Sequence, residues 1–148
     1  IETRSAEGEH LKNDIMQKLD SIMEGVEFVK ERSPIIIAEY KEKITTKIQE
    51  LLENAQIDDS RIVQEVTIFA DKICVDEELV RLEGHIAAMR DALNNGGAIG
   101  RRLDFIAQEM NREANTTLSK TTDLDISNVA IQLKTDIEKV REQIQNIE

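Results

Sequence analysis

The sequence contains few of the residues on which many other protein classes depend. Aromatic residues make up 3% of the 148 residues, and the chain has no Trp, one Pro and one Cys. This composition disfavours a β-sandwich, and the single Cys74 excludes an internal disulfide as well as a zinc site made of cysteines alone. We therefore expect a soluble protein of a reducing, cytoplasmic compartment.

Long apolar runs and glycine-rich loops are absent too. No uninterrupted apolar run is longer than that of residues 35–38, which is much shorter than the roughly 20 residues that span a membrane. The six glycines are scattered along the chain, so the sequence has no phosphate-binding loop and no dinucleotide-binding turn. These absences argue against a membrane protein and against the common nucleotide-binding folds.

Acidic residues are in excess. The chain has 30 Asp and Glu against 19 Lys and Arg, which gives a formal net charge of -11. A charge of this sign opposes contact with nucleic acid unless cations or a local basic patch intervene. The excess is smallest in residues 98–148, which hold seven basic and nine acidic residues. That part of the chain should repel phosphate least.

Apolar residues at helical spacing are abundant. They recur at steps of three and four over residues 11–29, and the same steps return over residues 37–51. Between these segments, Ser33 and Pro34 match an N-cap followed by a first-turn proline. We therefore predict two helices, the first over about residues 5–32, which fold back on each other as an antiparallel hairpin.

Four shorter helices are predicted in the remainder of the chain, separated by residues that cap or end helices. Their approximate ranges are 58–74, 76–94, 99–119 and 127–147, with a turn at 123–127 between the last two. The predicted fold class is all-α. It consists of a long antiparallel helical hairpin, residues 1–57, followed by a four-helix unit, residues 58–148.

One polar stripe falls on the second of these four helices. Glu78, Arg81 and His85 stand at positions i, i+3 and i+7, so an acid, a guanidinium and an imidazole share one face. Such a stripe could bind phosphate through Arg81 while His85 transfers a proton and Glu78 orients the imidazole or binds a cation. A salt bridge beside a partly buried histidine explains the same spacing, and both interpretations stay open.

A second polar segment lies on the following helix. Glu109 and Glu113 stand one turn apart, a spacing that suits one hard divalent cation able to polarise a phosphodiester. Asn111 and Asn115 are mediocre helix formers, an unusual choice if helicity were the sole requirement. An ordinary charged helix surface is the alternative interpretation.

These polar segments also carry a resemblance to a known family. The matching stretches are Glu77-Glu78-Leu79 with Arg81-Leu82 and His85, Gly100-Arg101 with Leu103-Asp104-Phe105, the run Gln108-Glu109-Met110-Asn111-Arg112-Glu113-Ala114-Asn115-Thr116, and the ending Arg141-Glu142-Gln143. Over its whole length the chain resembles the C-terminal helical half of the YicC-like endoribonuclease family. It departs from the family pattern at Cys74, where Asp is usual.

The resemblance implies an oligomeric, bacterial endoribonuclease that is assisted by a divalent cation, Mn²⁺ or Mg²⁺. The expected partners are RNA, further copies of the chain and an N-terminal half of the same protein that is absent here. No membrane partner is expected. The predicted metal ligands are Glu78, Glu109 and Glu113.

The remaining site residues are assigned by their chemistry. The predicted catalytic residues are Glu78, Arg81, His85 and Arg112, with the two arginines neutralising phosphate and the histidine acting as acid or base. Contact with RNA is predicted for Arg101, Arg102, Asn111 and Asn115. The alternative function is a non-catalytic helical oligomerisation module of a larger RNA-processing protein, in which the polar stripes hold helices together.

Overall fold

The computed structural model describes residues 2–53, 56, 58–96 and 100–147. Within these residues it contains five α-helices and no strand, which confirms the predicted all-α class. The helices are α1 (Glu2–Leu52), α2 (Asp59–Ile73), α3 (Asp76–Asn95), α4 (Gly100–Lys120) and α5 (Leu124–Ile147). None of them, within the described ranges, is long and apolar enough to cross a membrane.

The predicted chain reversal at Ser33 and Pro34 is wrong, because α1 continues through both residues and is 51 residues long. At about 1.5 Å per residue, this helix extends for about 76 Å. A proline inside a helix removes one backbone hydrogen bond and costs about 3 kcal/mol. Packing outweighs this cost, since Val29 and Ile36 are buried on either side of the proline. The Ser33 hydroxyl also donates to the Val29 carbonyl at 2.7 Å.

The first half of α1 forms a four-helix bundle with α3, α4 and α5. Both α1 and α4 pack against α3 and α5, so α1 and α4 lie diagonally opposite each other. Along α1 and α5, Asp14 meets Gln143 while Ser21 meets Asp136, which makes these two helices antiparallel. Ion pairs show the same antiparallel arrangement between α1 and α3, between α3 and α4 and between α4 and α5. The bundle therefore runs up-down-up-down.

The apolar seam of α1 fills the centre of this bundle. Gly25 allows α1 to approach α5 closely, because a Cβ atom there would lie 2.6 Å from the side chain of Leu133. The seam residues occur at the predicted spacing of three and four, and they are completely buried: Ile15, Leu19, Ile22, Val26 and Val29. Each Å² of apolar surface that the seam buries stabilises the fold by about 25 cal/mol.

The second half of α1 packs against α2. The rings of Tyr40 and Phe69 stack with centroids 3.8 Å apart, and Ile62, two turns earlier on α2, is buried. We call this pair of segments, residues 37–52 and α2, the arm. The predicted division of the chain at residue 57 stays a prediction, and the first half of α1 contributes to the bundle core.

Capping residues are identified at the start of α5 and at the end of α3. Asp123 caps α5 by accepting a hydrogen bond from the Ile126 backbone N–H at 3.0 Å. The predicted turn over 123–127 is therefore wrong, and α5 begins three residues earlier than expected. Gly96 ends α3 with a φ of 70°, in the left-handed region that favours glycine, as the sequence predicted. Residues 97 and 99, where the glycine pair and the next helix start were predicted, lie outside the described residues.

Replacing Pro34 by Ala should raise the free energy of unfolding by about 1–3 kcal/mol, because alanine restores the helical hydrogen bond and removes the steric conflict of the ring. Urea unfolding followed by circular dichroism measures this change. Pro34→Gly is the matched control, since glycine should gain about 1 kcal/mol less than alanine inside a continuous helix. A glycine variant as stable as the alanine variant would contradict a continuous α1.

Candidate functional site

Two polar stripes face each other across the interface between α3 and α4. At one end Lys120 of α4 meets Glu78 of α3, and further along the interface Glu113 meets Arg81. Residue numbers rise along α3 as they fall along α4, so the two helices are antiparallel. The structure thus brings together predicted site residues from both stripes. We call Glu78, Arg81, Glu113 and Lys120 the α3–α4 ion network.

Carboxylates from both helices orient Arg81. Its Nε donates to Oε1 of Glu113 at 2.9 Å, and one terminal nitrogen donates to Oε2 of Glu77 at 3.5 Å. The other terminal nitrogen lies 3.8 Å from Oε1 of Glu78. The side chain of Glu113 is 7% exposed, whereas that of Arg81 is 48% exposed. The acid is therefore buried, and the guanidinium reaches the surface.

Lys120 binds at the other end of the network. Its Nζ donates to Oε1 of Glu78 at 2.7 Å and to the backbone carbonyl of Cys74 at 3.2 Å. Cys74 follows α2, Glu78 lies in the first turn of α3, and Lys120 is the last residue of α4. One ammonium group thus connects three helix ends. Lys120 was not among the predicted site residues. Its place in a last helical turn, where cations are favoured, was the available signal.

The charges of the network shift the pKa values of its members. Burial on its own raises the pKa of Glu78. The hydrogen bonds from Lys120 and from its own backbone, together with the charges of Lys120 and Arg81, outweigh burial and hold that pKa below its ordinary value. The hydrogen bond with Glu113 raises the pKa of Arg81, and that with Glu78 raises the pKa of Lys120. Glu78, Arg81 and Lys120 are therefore charged at neutral pH.

His85 and Glu109 lie further along the same interface. His85 is half-buried and follows Arg81 by one turn, on the side of α3 that faces α4. Glu109 precedes Glu113 by one turn, and its side chain is 30% exposed. Its nearest cation is Arg112, with 3.9 Å between Oε2 of Glu109 and a terminal nitrogen of the guanidinium. The Arg112 side chain is 76% exposed, so this pair is a loose surface contact.

The predicted RNA-contacting residues lie elsewhere on α4. Arg101 and Arg102 are exposed at its first turn, about 18 Å from Glu113 at 1.5 Å per residue. Asn111 and Asn115 fall on the stripe that begins at Asp104, which pairs with Arg141 of α5. These four residues are therefore separate from the α3–α4 ion network, and their contact with RNA stays a prediction.

The residues predicted to bind a divalent cation do not form an open cluster of ligands. Oxygens of Glu78 and Glu113 already accept hydrogen bonds from Lys120 and Arg81. Glu109 is one turn from Glu113 and about three turns from Lys120 on the same helix. Within the described part of the chain, no three or more His, Cys, Asp or Glu side chains gather where they could hold a metal ion. As arranged, this donor set does not fit a divalent cation, since a metal would have to displace the bound cations.

Comparison with known proteins bears on this geometry. Residues 29–148 match the family described as endoribonuclease YicC-like, C-terminal. The chain belongs to this YicC-like family. The match covers all of α2 to α5 and therefore the entire α3–α4 ion network. The resemblance drawn from the polar segments is confirmed.

Two relatives extend the similarity over the whole chain. The probable endoribonuclease YicC of Clostridioides difficile (strain 630) is 43% identical over 148 residues, which are 99% of this chain and 50% of the relative. The probable endoribonuclease YicC of Haemophilus influenzae is 41% identical over 148 residues, which are 100% of this chain and 51% of the relative. The chain thus spans about half the length of these YicC relatives.

The lowered pKa of Glu78 predicts how acid affects the fold. Its contribution to stability is fully present above the ordinary carboxyl pKa of 4.5 and is lost as the pH falls through the lower folded value. Glu78→Gln should therefore flatten the loss of unfolding free energy between about pH 5 and pH 3, as measured by urea unfolding at each pH. Glu77→Gln, a neighbour that is 84% exposed, is the control and should leave the pH dependence nearly unchanged.

Proposed function

We propose that the chain is the helical part of an endoribonuclease that hydrolyses internal phosphodiesters of RNA, and that the α3–α4 ion network binds phosphate. The support comes first from the family to which the chain belongs and from relatives named probable endoribonuclease YicC. The second support is physical. Two carboxylates with side chains 5% and 7% exposed hold two cations at an edge that solvent can reach.

The hydrogen-bonding capacity of Arg81 is the observation that carries this proposal. A guanidinium has five N–H groups, and Arg81 uses one on Glu113 and one on Glu77. Within the described residues, three N–H groups remain without a hydrogen bond. A planar guanidinium held in place on one side and open on the other can donate two parallel hydrogen bonds to a phosphate.

The chemistry follows from these donors. Hydrolysis adds water to phosphorus, breaks the bond to one bridging oxygen and transfers a proton from the water to the leaving oxygen. Arg81 would bind the non-bridging oxygens and stabilise the charge that increases on them in the transition state. His85, one turn further along the same face, would accept or supply the proton. Arg112, which is largely exposed, would contact a neighbouring phosphate.

A divalent cation at Glu78, Glu109 and Glu113 stays a prediction of its own. The present pairing of Glu78 and Glu113 with Lys120 and Arg81 does not fit a bound metal. The chemical steps proposed for Arg81 and His85 use no metal. Contact of Arg101, Arg102, Asn111 and Asn115 with RNA is likewise a proposal, as are a homo-oligomer and a cytoplasmic location.

A second candidate function is the helical oligomerisation module. Burial of Glu78 and Glu113 between α3 and α4 favours it, because such pairs also hold helices in register. Several large apolar side chains on or beside the arm are exposed and could bind another copy: Ile35, Leu51, Leu52, Val63 and Ile68. In this function the polar residues would affect stability and not cleavage.

Arg81→Gln in the intact protein should lower kcat/KM for RNA cleavage by about a hundredfold, the effect expected when one donor to the transition state is lost. Cleavage of a labelled RNA measures this. Arg90→Gln is the matched control, since it removes the same charge from the same helix, where Arg90 pairs with Asp20 on the α1 side. Equal cleavage by the two variants, with a lower melting temperature for Arg81→Gln, would favour the oligomerisation module.

The metal prediction has a separate test. If Glu109 binds a divalent cation, EDTA should abolish cleavage by the intact protein, Mn²⁺ or Mg²⁺ should restore it, and Glu109→Gln should lower it by about a hundredfold. Glu138→Gln is the control, because Glu138 makes the same i,i+3 pair with an arginine on α5. Full activity in EDTA would contradict metal assistance. Inhibition by EDTA with equal activity of the two variants would show that Glu109 is not the ligand.

A further inference from the structure

Lys120 and Arg81 compete for one carboxylate. Oxygen Oε1 of Glu78 lies 2.7 Å from Nζ of Lys120 and 3.8 Å from a terminal nitrogen of Arg81. The shorter contact is a hydrogen bond, and the longer one is an attraction without a hydrogen bond. Because the Glu78 side chain is only 5% exposed, its charge requires a cationic partner within the protein. Lys120 supplies that partner.

The position of Lys120 is fixed independently of Glu78. Its Nζ also donates to the carbonyl of Cys74, which follows the end of α2. Two acceptors from different segments, together with the end of α4, hold the ammonium at the corner between α2 and α3. Lys120 therefore stays beside Glu78, and Arg81 is not needed as the partner of that carboxylate.

We propose that Lys120 is a positioning residue which, by neutralising Glu78, keeps the outer N–H groups of Arg81 available to bind an RNA phosphate. This inference rests on the proposed function of Arg81. Without the ammonium, the buried Glu78 carboxylate draws the guanidinium across the remaining gap of 3.8 Å. A third N–H group of Arg81 then donates to an acid, and the guanidinium turns toward Glu78, so its two remaining N–H groups no longer face a phosphate. Lys120 itself contacts no phosphate in this arrangement.

The salt dependence of RNA binding tests this arrangement in the intact protein. The probe is a fluorescently labelled, single-stranded 2′-O-methyl RNA of mixed sequence, and its Kd is measured over a series of salt concentrations. Loss of one phosphate contact to a single strand lowers the magnitude of the slope of log K against log salt by about 0.7. We expect this decrease for Arg81→Gln and for Lys120→Met. Lys120→Arg should retain the slope of the unchanged protein, because it retains the charge.

The double variant separates positioning from direct contact. Glu78→Gln combined with Lys120→Met removes the competing acid together with its partner, so Arg81 is released and the slope should return to that of the unchanged protein. If Lys120 bound phosphate itself, the slope of the double variant would stay low, and the proposal would be overturned. Lys30→Met, which breaks the Lys30 to Glu83 pair on the other side of α3, is the control and should leave the slope unchanged.

The remaining outcomes separate phosphate binding by Arg81 from the positioning role of Lys120. If Arg81→Gln lowers the slope and Lys120→Met does not, Arg81 binds phosphate but Lys120 has no positioning role. If Arg81→Gln leaves the slope unchanged, the proposed function of Arg81 fails, and the role of Lys120 fails with it. Should Lys120→Met not fold, Lys120→Gln replaces it, since an amide can still donate to Glu78 and Cys74 without the charge.

Discussion

The uninterrupted apolar seam of α1 is the constraint to which the other helices adjust. Its first half is completely buried between α3 and α5, and its second half pairs with α2. Since α1 does not turn at Pro34, α2 and α3 must follow one another along it in the opposite direction. The corner between those two helices, at Cys74 and Val75, is therefore fixed by α1. This corner is also where Lys120 and Glu78 meet.

The α3–α4 interface then depends on charge as well as on apolar packing. A buried carboxylate is costly unless a cation and hydrogen bonds compensate for the lost water. Glu78 and Glu113 each receive a cation from the opposite helix, which sets the register of α3 against α4. The same pairing directs both cations toward the surface. Stabilisation of the fold and presentation of the proposed phosphate-binding edge thus use the same contacts.

The sequence predicted those features that depend on local spacing, such as the all-α class, the four helices after residue 57, the buried seam of α1 and the stripe formed by Glu78, Arg81 and His85. It failed at Pro34, because the local signal for a helix start was real but tertiary packing on both sides outweighed it. It failed for a different reason at residues 123–127, where the local signal was overlooked: Asp123 caps α5, which begins at Leu124.

The partners of the site could not be predicted, because they depend on how α3 and α4 align. Spacing alone made Glu109 and Glu113 equivalent, whereas the structure pairs Glu113 with Arg81 and leaves Glu109 near the surface. The same alignment explains how an acidic chain could meet RNA. With a net charge of -11, the chain repels phosphate at long range. At contact distance the buried acids of the network are neutralised, so a phosphate would encounter the open side of Arg81 rather than their negative charge.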